Sequence, residues 1–342
     1  MAQKFRPPLQ QQIWNLLIEK RAVNIIITCV LILMPVTIIG IYIASVHSRT
    51  EKPVPYPTTP QANPNDDLFP SHSLVDLTKL PLGDKKAVTS PQRGFVYSCT
   101  TNFTGQGAIP GPWIDPNRGT YNLTHKVQVN GNVSWPQAAY QMNIDGGTRK
   151  ITSNGLPLNH NTGVFPTKRA EEAYKYEKNG NSIAAHNYSL TLPTTPSAAA
   201  SPACINTEVG IAIDGIPIMS AFDAAGRDAM AVEPQDSCDG SPMAGNIYHY
   251  HGYSSCFKDT AKAGEHSSLL GYALDGYGIF GLRGEGGYEL SSEDLDECHG
   301  HEHTIIWDGK PTMMYHYHLT HDFPYSVGCF KGNPVTKSVT GK

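Results

Sequence analysis

The 342-residue chain lacks the short motifs of several large enzyme classes. It contains no G-x-S-x-G nucleophile elbow, no H-E-x-x-H zinc motif and no glycine loop of the phosphate-binding type. It also has no C-x-x-C pair, which argues against a zinc–thiolate site. Serine hydrolases, zincin-type proteases and nucleotide-binding enzymes are therefore poor fits to this sequence.

Charge and helical periodicity are scarce as well. Charged residues make up 16% of the chain, the net charge is −4, and the only cationic cluster lies at the amino terminus. We therefore expect no nucleic-acid partner. No long helical pattern appears beyond about residue 95, whereas 32 glycines and 26 prolines separate short β-prone runs. This composition predicts a mostly β protein.

One long apolar run stands near the amino terminus. Residues 22–46 carry no charge and are long enough to cross about 30 Å of hydrocarbon as a helix. A cleaved signal peptide is the competing interpretation. More basic residues precede the run than follow it, which predicts a cytoplasmic amino terminus and a type II, single-pass membrane protein.

Four glycosylation sequons follow this run, and they agree with an extracellular or lumenal ectodomain. Their asparagines are Asn102, Asn122, Asn132 and Asn187. The predicted segments are a cytoplasmic tail (1–21), a transmembrane helix (22–46), a Pro-rich stalk (47–90), an ectodomain (91–332) and a polar tail (333–342). The ectodomain is expected to be mostly β, a sandwich or barrel made of two related halves.

An internal repeat supports the two halves. Tyr248–His251 reads Tyr-His-Tyr-His and returns as Tyr315–His318. The surrounding frame repeats too, in Gly210–Gly215 with Gly271–Gly276 and in Asp236–Gly240 with Asp296–Gly300. We interpret this as duplication of a unit slightly longer than 60 residues, at about 205–260 and 266–332.

Six of the seven cysteines lie beyond the apolar run, in a predicted oxidising compartment. Six cysteines allow 15 pairings. If Cys238 pairs with Cys256, the duplication requires the equivalent pairing of Cys298 with Cys329. Cys99 then remains for Cys204.

Five dipeptides suited to tight turns punctuate the β-prone runs. They are Asn130-Gly131, Asn154-Gly155, Asp214-Gly215, Asp275-Gly276 and Asp308-Gly309. The last of them places the second Tyr-His-Tyr-His on the outgoing arm of a hairpin. The first copy is also expected to be a strand.

Successive side chains on a strand point to opposite faces, so both histidines of each copy share one face, about 6.6 Å apart along the strand. His249, His251, His316 and His318 could meet at one ion, or form two separate two-histidine sites. Imidazole-rich ligation without thiolate favours Zn²⁺ or Cu²⁺. The alternative is that the alternating aromatic residues simply form a sheet core.

Further candidate ligands surround these strands. His299 and His301 could add ligands, with Glu302 as a general base on a metal-bound water. Asp214 and Asp275 occupy equivalent turns and could orient imidazoles or complete the ligand set. For His160, hydrogen bonding within its loop is as good an explanation as metal ligation. We interpret His303 as part of a solvated loop and His266 as a surface residue.

Several longer motifs accompany the repeat. They are Ser153–Pro157, His160, Thr162–Pro166, Tyr176, Asn181–Ile183, Asp214–Ile218, Gly226–Ala229, Asp236–Cys238, Leu274–Gly276, Leu295–His301, Phe323–Tyr325 and Gly328–Phe330, together with both Tyr-His-Tyr-His copies. Through these motifs the chain resembles the YHYH-domain family over roughly residues 95–332. This family is a group of secreted or surface-anchored proteins and is named for the tetrapeptide. In this chain Cys238 is followed by Asp239-Gly240, whereas in many members of the family the equivalent cysteine is followed by glycine-histidine. That departure leaves the first half one potential ligand short.

The resemblance implies a fold unit but no activity, substrate or cofactor. Two hypotheses of different classes follow from the residues. One is an ectodomain that binds copper or zinc through paired His-x-His strands, with oxidative or hydrolytic catalysis where coordination positions are open. The other is a non-enzymatic adhesion module that binds a small molecule, matrix or glycan. A pH-responsive interaction domain is a third interpretation of the clustered histidines.

Overall fold

The computed structural model of the protein describes residues 75–335 and 338–340. The predicted tail (1–21) and transmembrane helix (22–46) lie outside these residues. Among the residues that are described, no helix is long and apolar enough to cross a membrane. The described chain is mostly β with little helix, as predicted. It forms several sheets and no closed barrel, so the barrel alternative is wrong for this part of the chain.

The strands are short and follow one another closely. They are β1 (Leu80–Pro81), β2 (Ala87–Val88), β3 (Val96–Tyr97), β4 (Ile114–Asp115), β5 (Thr120–Tyr121), β6 (Tyr140–Asp145), β7 (Thr148–Ser153), β8 (Asn187–Pro193), β9 (Ala198–Ala203), β10 (Glu208–Ala212), β11 (Pro217–Met219), β12 (Gly240–Met243), β13 (Ile247–Tyr250), β14 (Leu269–Ala273), β15 (Gly278–Phe280), β16 (Gly300–Trp307), β17 (Lys310–His318), β18 (Phe330–Gly332) and β19 (Ser338–Thr340). The helical segments are α1 (Ala229–Val232) and four 3-10 turns, Leu123–His125, Glu172–Lys175, Glu285–Gly287 and Ser292–Asp294.

The largest sheet has eight strands in the order β12-β13-β11-β10-β14-β15-β17-β16. This order is symmetric about the central antiparallel pair, β10 and β14. There Ile211 lies opposite Tyr272, its equivalent 61 positions later. A pseudo-twofold axis normal to the sheet therefore passes through this pair, since directly opposed residues of an antiparallel ladder point to the same side. Equivalent residues of the two halves consequently lie on the same face.

Dipeptides suited to tight turns explain part of this strand order. Three of the five predicted dipeptides join paired strands, namely Asp214-Gly215, Asp275-Gly276 and Asp308-Gly309. Asp308 and Gly309 have φ of 47° and 77°, the left-handed values that a two-residue hairpin requires. Asn130-Gly131 and Asn154-Gly155 join no such pair. The β6–β7 hairpin turns instead at Gly146-Gly147, which also has positive φ.

A four-stranded sheet, β19-β8-β7-β6, contributes to the same core as the large sheet. The contact centres on Arg149 of β7, whose side chain is fully buried. Its guanidinium lies 4.4 Å from the ring centroid of Tyr272 and 5.0 Å from that of Trp307. It also donates to both carboxylate oxygens of Asp308, each at 2.9 Å. The ion pair thus links the small sheet to the β16–β17 turn.

The described chain contains three disulfides, and they confirm the predicted pairing of the cysteines. They join Cys99 to Cys204, Cys238 to Cys256 and Cys298 to Cys329. The last two hold equivalent turns of the two halves, directly before β12 and β16.

The described end of the predicted stalk packs against the domain. Leu80 is 1% exposed in a second core cluster, and β1 pairs with β5. Two further two-stranded sheets pair β2 with β3 and β9 with β18. At the other end of the chain, β19 of the predicted polar tail pairs with β8.

Candidate metal centres

The tyrosines of the two Tyr-His-Tyr-His strands are held by aspartates at equivalent positions. The hydroxyl donors and carboxylate acceptors are Tyr248 to Asp236 (3.0 Å), Tyr250 to Asp214 (2.8 Å), Tyr315 to Asp296 (2.8 Å) and Tyr317 to Asp275 (2.6 Å). Burial, followed by the neighbouring carboxylates, raises the pKa of all four tyrosines well above 10. Asp214 and Asp275 therefore bond to tyrosines and not to the histidines of the two strands, although Asp214 Oδ2 also lies 3.6 Å from His160 Nε2.

The histidines are anchored just as regularly, by backbone carbonyls. In the first half His249 Nδ1 lies 3.3 Å from Ile247 O, and His251 Nδ1 lies 2.5 Å from Ser220 O. In the second half the equivalent bonds are His316 Nδ1 to Met314 O (3.0 Å) and His318 Nδ1 to Gly281 O (2.6 Å). A carbonyl only accepts, so each Nδ1 carries the hydrogen, and the neutral ring keeps a bare lone pair on Nε2.

The two histidine pairs lie in separate places. β13 and β17 are five strand spacings apart in the sheet order, about 24 Å at ~4.8 Å per spacing. A single centre shared by His249, His251, His316 and His318 is therefore excluded. The structure instead shows one cluster of possible ligands in each half.

The second-half cluster contains five histidines. On β16, His301 lies directly opposite His316, and His303 follows on the same face. His266 comes from the loop before β14. Its Nε2 lies 3.3 Å from that of His316 and 3.1 Å from that of His318. The Nε2 atoms of His301 and His303 are 3.2 Å apart.

The spacing of these nitrogens matches metal coordination. A tetrahedral ion with bonds of about 2.0–2.1 Å holds its nitrogen ligands about 3.3–3.4 Å apart, and 90° angles bring them to about 2.9 Å. One ligand atom from each of the five rings lies within 4.8 Å of the others. His266 and His303 also have Nδ1 next to a carbonyl, of Ser267 (2.8 Å) and Thr304 (3.1 Å). Bare lone pairs thus face one another, an arrangement that a cation would stabilise.

The electrostatics keep His266, His301, His316 and His318 uncharged. Burial, with smaller contributions from neighbouring histidines, lowers the pKa of His266 to about 4, of His301 to about 3 and of His316 to about 2. For the same reasons the pKa of His318 falls well below 6.5. Neutral imidazole is the form that binds metal.

The first-half cluster is smaller and consists of Glu233, His249 and His251. The Nε2 atoms of the two histidines are 2.8 Å apart, and Glu233 Oε2 lies 3.6 Å from His251 Nε2. Ser241 takes the place of His301, opposite His249 on β12. Its hydroxyl lies 3.3 Å from Glu233 Oε2.

A carboxylate gives the first-half cluster a different charge pattern. Burial opposes ionisation of Glu233, but the hydrogen bond and charge of His251, with smaller contributions from His249 and Lys126, outweigh it and lower the carboxyl pKa to about 2. Burial also disfavours the cationic form of His251, yet the Glu233 carboxylate raises its pKa above 6.5. Burial and then the charge of His251 lower the pKa of His249 to about 4.

This cluster forms part of the wall of a cleft of about 720 Å³. Phe165, Met219 and Phe222 contribute to the wall, so much of it is apolar. A volume in this range is typical of small-molecule sites.

Two other predicted ligands lie apart from both clusters. His299 occupies a left-handed turn position with φ of 72°, and its Nε2 is 3.0 Å from Thr320 Oγ1. His160 bonds through Nε2 to the Tyr250 hydroxyl at 2.6 Å, on the tyrosine side of the strand. His160 also lies near Cys238 and Cys256, but the disulfide removes their thiolates as ligands.

The predicted glycosylation sites are all accessible to some degree. Asn102, Asn132 and Asn187 are exposed, whereas Asn122 is half-buried and caps the first 3-10 turn. Modification of these residues stays a prediction.

Sequence reasoning missed three members of the clusters. His303 and His266 were interpreted as loop and surface residues, and Glu233 was not considered. His303 could have been found, since a strand through His301 and His303 places both side chains on one face. His266 and Glu233 come from loops, and no local pattern indicates where they lie.

Comparison with known families finds a match to a YHYH domain. Residues 189–288 match the family model described as YHYH protein. A YHYH domain is therefore present, and the predicted family resemblance is confirmed over that range. The match includes Glu233, the first Tyr-His-Tyr-His and His266, and it ends before β16. No curated protein and no solved structure matches the chain.

Proposed function

We propose that this protein binds a transition-metal ion, Cu²⁺ or Zn²⁺, through the five-histidine cluster of its second half. The observation that carries the proposal is the set of bare Nε2 atoms of His266, His316 and His318, in which His266 faces the other two at 3.1–3.3 Å. Backbone carbonyls fix the Nδ1 hydrogen of four of the five rings, so hydrogen bonds between the rings cannot account for the contacts of His266 with His316 and His318.

The ligand type narrows the choice of ion. Imidazole suits Zn²⁺ and Cu²⁺, whereas Mg²⁺ and Ca²⁺ prefer oxygen ligands. The carbonyl bonds also orient the rings before the ion binds, which reduces the ordering that binding requires. A site of five protein ligands leaves little room for substrate, and this points to a structural or storage role for the ion held there.

The proposal also covers where the protein lies relative to the membrane. The apolar run at 22–46 and the charges before it support a type II, single-pass anchor with the YHYH domain outside the cytoplasm. Three disulfides in the described chain agree with an oxidising compartment.

Calorimetric titration of the chelator-treated chain tests the metal site. We expect Cu²⁺ and Zn²⁺ to bind the wild-type chain, and a His316→Ala/His318→Ala variant to lose at least about 100-fold in affinity at this site, because two of five ligands are removed. His125→Ala, at an exposed position outside both clusters, is the matched control and should bind as wild type. Equal affinity in the double variant would contradict the proposal.

A further inference from the structure

The two halves place the same pair of histidines in different surroundings. In the second half, three more histidines complete the cluster. In the first half, Ser241 and Met243 stand at the strand positions of His301 and His303, and a single carboxylate, Glu233, joins the pair. The first half therefore offers three ligand atoms where the second offers five.

The histidine pair is anchored by equivalent backbone bonds in both halves. Nδ1 of His249 and of His251 each contacts a carbonyl, at the positions equivalent to those used by His316 and His318. Their Nε2 atoms consequently point at each other, 2.8 Å apart. The duplicated unit has thus kept the carbonyl bonds that fix both Nδ1 hydrogens and leave Nε2 of each neutral ring available to an ion.

Glu233 is held in place by two contacts. It directly follows α1, where its backbone N–H donates to Ala229 O at 3.0 Å, and its Oε2 accepts from the Ser241 hydroxyl. Two imidazoles and one carboxylate form the ligand set of His₂Glu zinc enzymes and of non-haem iron oxygenases, and both of these keep open coordination positions.

The open side of this ligand set meets the cleft. All three candidate ligands line the cleft, together with apolar side chains such as Phe165, Met219 and Phe222. Among the described residues, Lys178 is the only lysine or arginine in the wall, so the cleft is not built for a strongly anionic ligand. Polar side chains such as Asn179, Asn181 and Thr207 also line the cleft, but the larger part of its surface is apolar. A cleft of this kind, with the candidate ligands at one point, suits a small organic molecule that is oriented by that point.

We propose that Glu233, His249 and His251 form a second, open metal centre, whose ion binds a small, mainly apolar organic ligand through one nitrogen or oxygen donor. The centre uses none of the five histidines of the second half, so it stands whether or not that cluster binds metal. The first half is then the reactive half of the duplication and the second half the closed one.

Cobalt substitution of the full chain tests this centre, with imidazole and 4-phenylimidazole as the added ligands. We expect both compounds to change the visible Co²⁺ spectrum of the wild-type chain and of a His301→Ala/His303→Ala variant. 4-Phenylimidazole should bind at least about tenfold more tightly, since its phenyl ring is buried in the cleft. No change in the wild-type spectrum, or loss of the change in His301→Ala/His303→Ala, would overturn the proposal.

Two variants of the centre complete the test. His249→Gln should abolish the spectral response, and Glu233→Gln, which nearly preserves side-chain shape, should weaken Co²⁺ binding at this centre at least about tenfold. If His249→Gln does not fold, Glu233→Gln alone decides. A response that survives in Glu233→Gln with unchanged Co²⁺ affinity would show that Glu233 is not a ligand and would overturn the three-ligand centre. Equal affinity for the two added ligands would refute the apolar ligand class.

Discussion

At the scale of single residues, each Tyr-His-Tyr-His side chain has an assigned partner. Aspartates accept from the tyrosines and backbone carbonyls accept from Nδ1 of the histidines. The tetrapeptide is therefore both core and site: its tyrosines satisfy buried carboxylates, and its histidines present lone pairs. The two interpretations of the motif, sheet core and metal ligand, apply to opposite faces of one strand.

The Tyr317–Asp275 bond offers a test of the tyrosine face. Removing the hydroxyl with Tyr317→Phe leaves the buried carboxylate short of a donor and frees the backbone N–H of Lys331. We expect a loss of about 1–3 kcal/mol in the free energy of unfolding. In a double-mutant cycle with Asp275→Asn, measured by urea unfolding, the two changes should be coupled by more than ~0.5 kcal/mol. Simple additivity would argue against the bond.

Asp228 should make stability depend on pH in an unusual direction. Its carboxylate is buried and accepts from the Tyr325 hydroxyl at 2.6 Å and from Gly83 N at 2.8 Å. Burial outweighs these bonds and raises its pKa from 3.8 to about 6. A raised folded-state pKa contributes stability that is complete below pH 3.8 and lost as the pH rises through 6.

The measurement for Asp228 is the difference in unfolding free energy between wild type and Asp228→Asn as a function of pH. We expect this difference, the unfolding free energy of the wild type minus that of Asp228→Asn, to decrease between about pH 4 and pH 6 and then to stay constant. Other groups titrate in both chains and cancel in the difference. A difference that is flat over this range would contradict a raised pKa.

At the scale of elements, the β16–β17 hairpin builds most of the second-half cluster. Its two-residue turn pairs Trp307 with Lys310, and the same register places His301 opposite His316. This register could have been predicted, because Asp308-Gly309 was identified as the turn and two-residue turns fix strand pairing. Extending the pairing toward the earlier histidines would have predicted four of the five members.

The hairpin turn itself can be tested with a matched pair of glycines. Gly309 has φ of +77° with open space around its added Cβ, so Gly309→Ala costs backbone strain alone. We expect a loss of about 1–2 kcal/mol in the free energy of unfolding. Gly180→Ala, where the space is equally open and φ is not left-handed, should be neutral or slightly stabilising. Equal effects of the two substitutions would rule out strain at the turn.

At the scale of the whole molecule, the symmetric sheet order explains why sequence reasoning succeeded in some places and failed in others. The repeated frame made the Cys238–Cys256 and Cys298–Cys329 pairs predictable together. It gave no information on Glu233 or His266, because these residues reach the clusters from loops in which the halves differ. It also could not show whether the halves meet at one centre, since that depends on which strands lie at the middle of the sheet.

The disulfides should contribute to stability according to the loops they close. Cys99 and Cys204 are 105 positions apart, and Cys238 and Cys256 are 18 apart. Loop-closure entropy predicts that Cys99→Ala/Cys204→Ala costs ~1.6 kcal/mol more than Cys238→Ala/Cys256→Ala. Urea unfolding of the two variants under identical conditions measures this difference. A larger loss from the shorter loop would contradict the entropic account.

The central claim is that this protein holds a transition-metal ion in the five-histidine cluster. Elemental analysis of the full chain, purified from a secretory host without a histidine tag, tests it most directly. We predict at least one copper or zinc ion per chain, with close to one ion fewer in a folded His316→Ala/His318→Ala variant. Absence of bound metal from the wild-type chain, even after exposure to Cu²⁺ and Zn²⁺, would contradict the account and leave the histidines with a purely structural role.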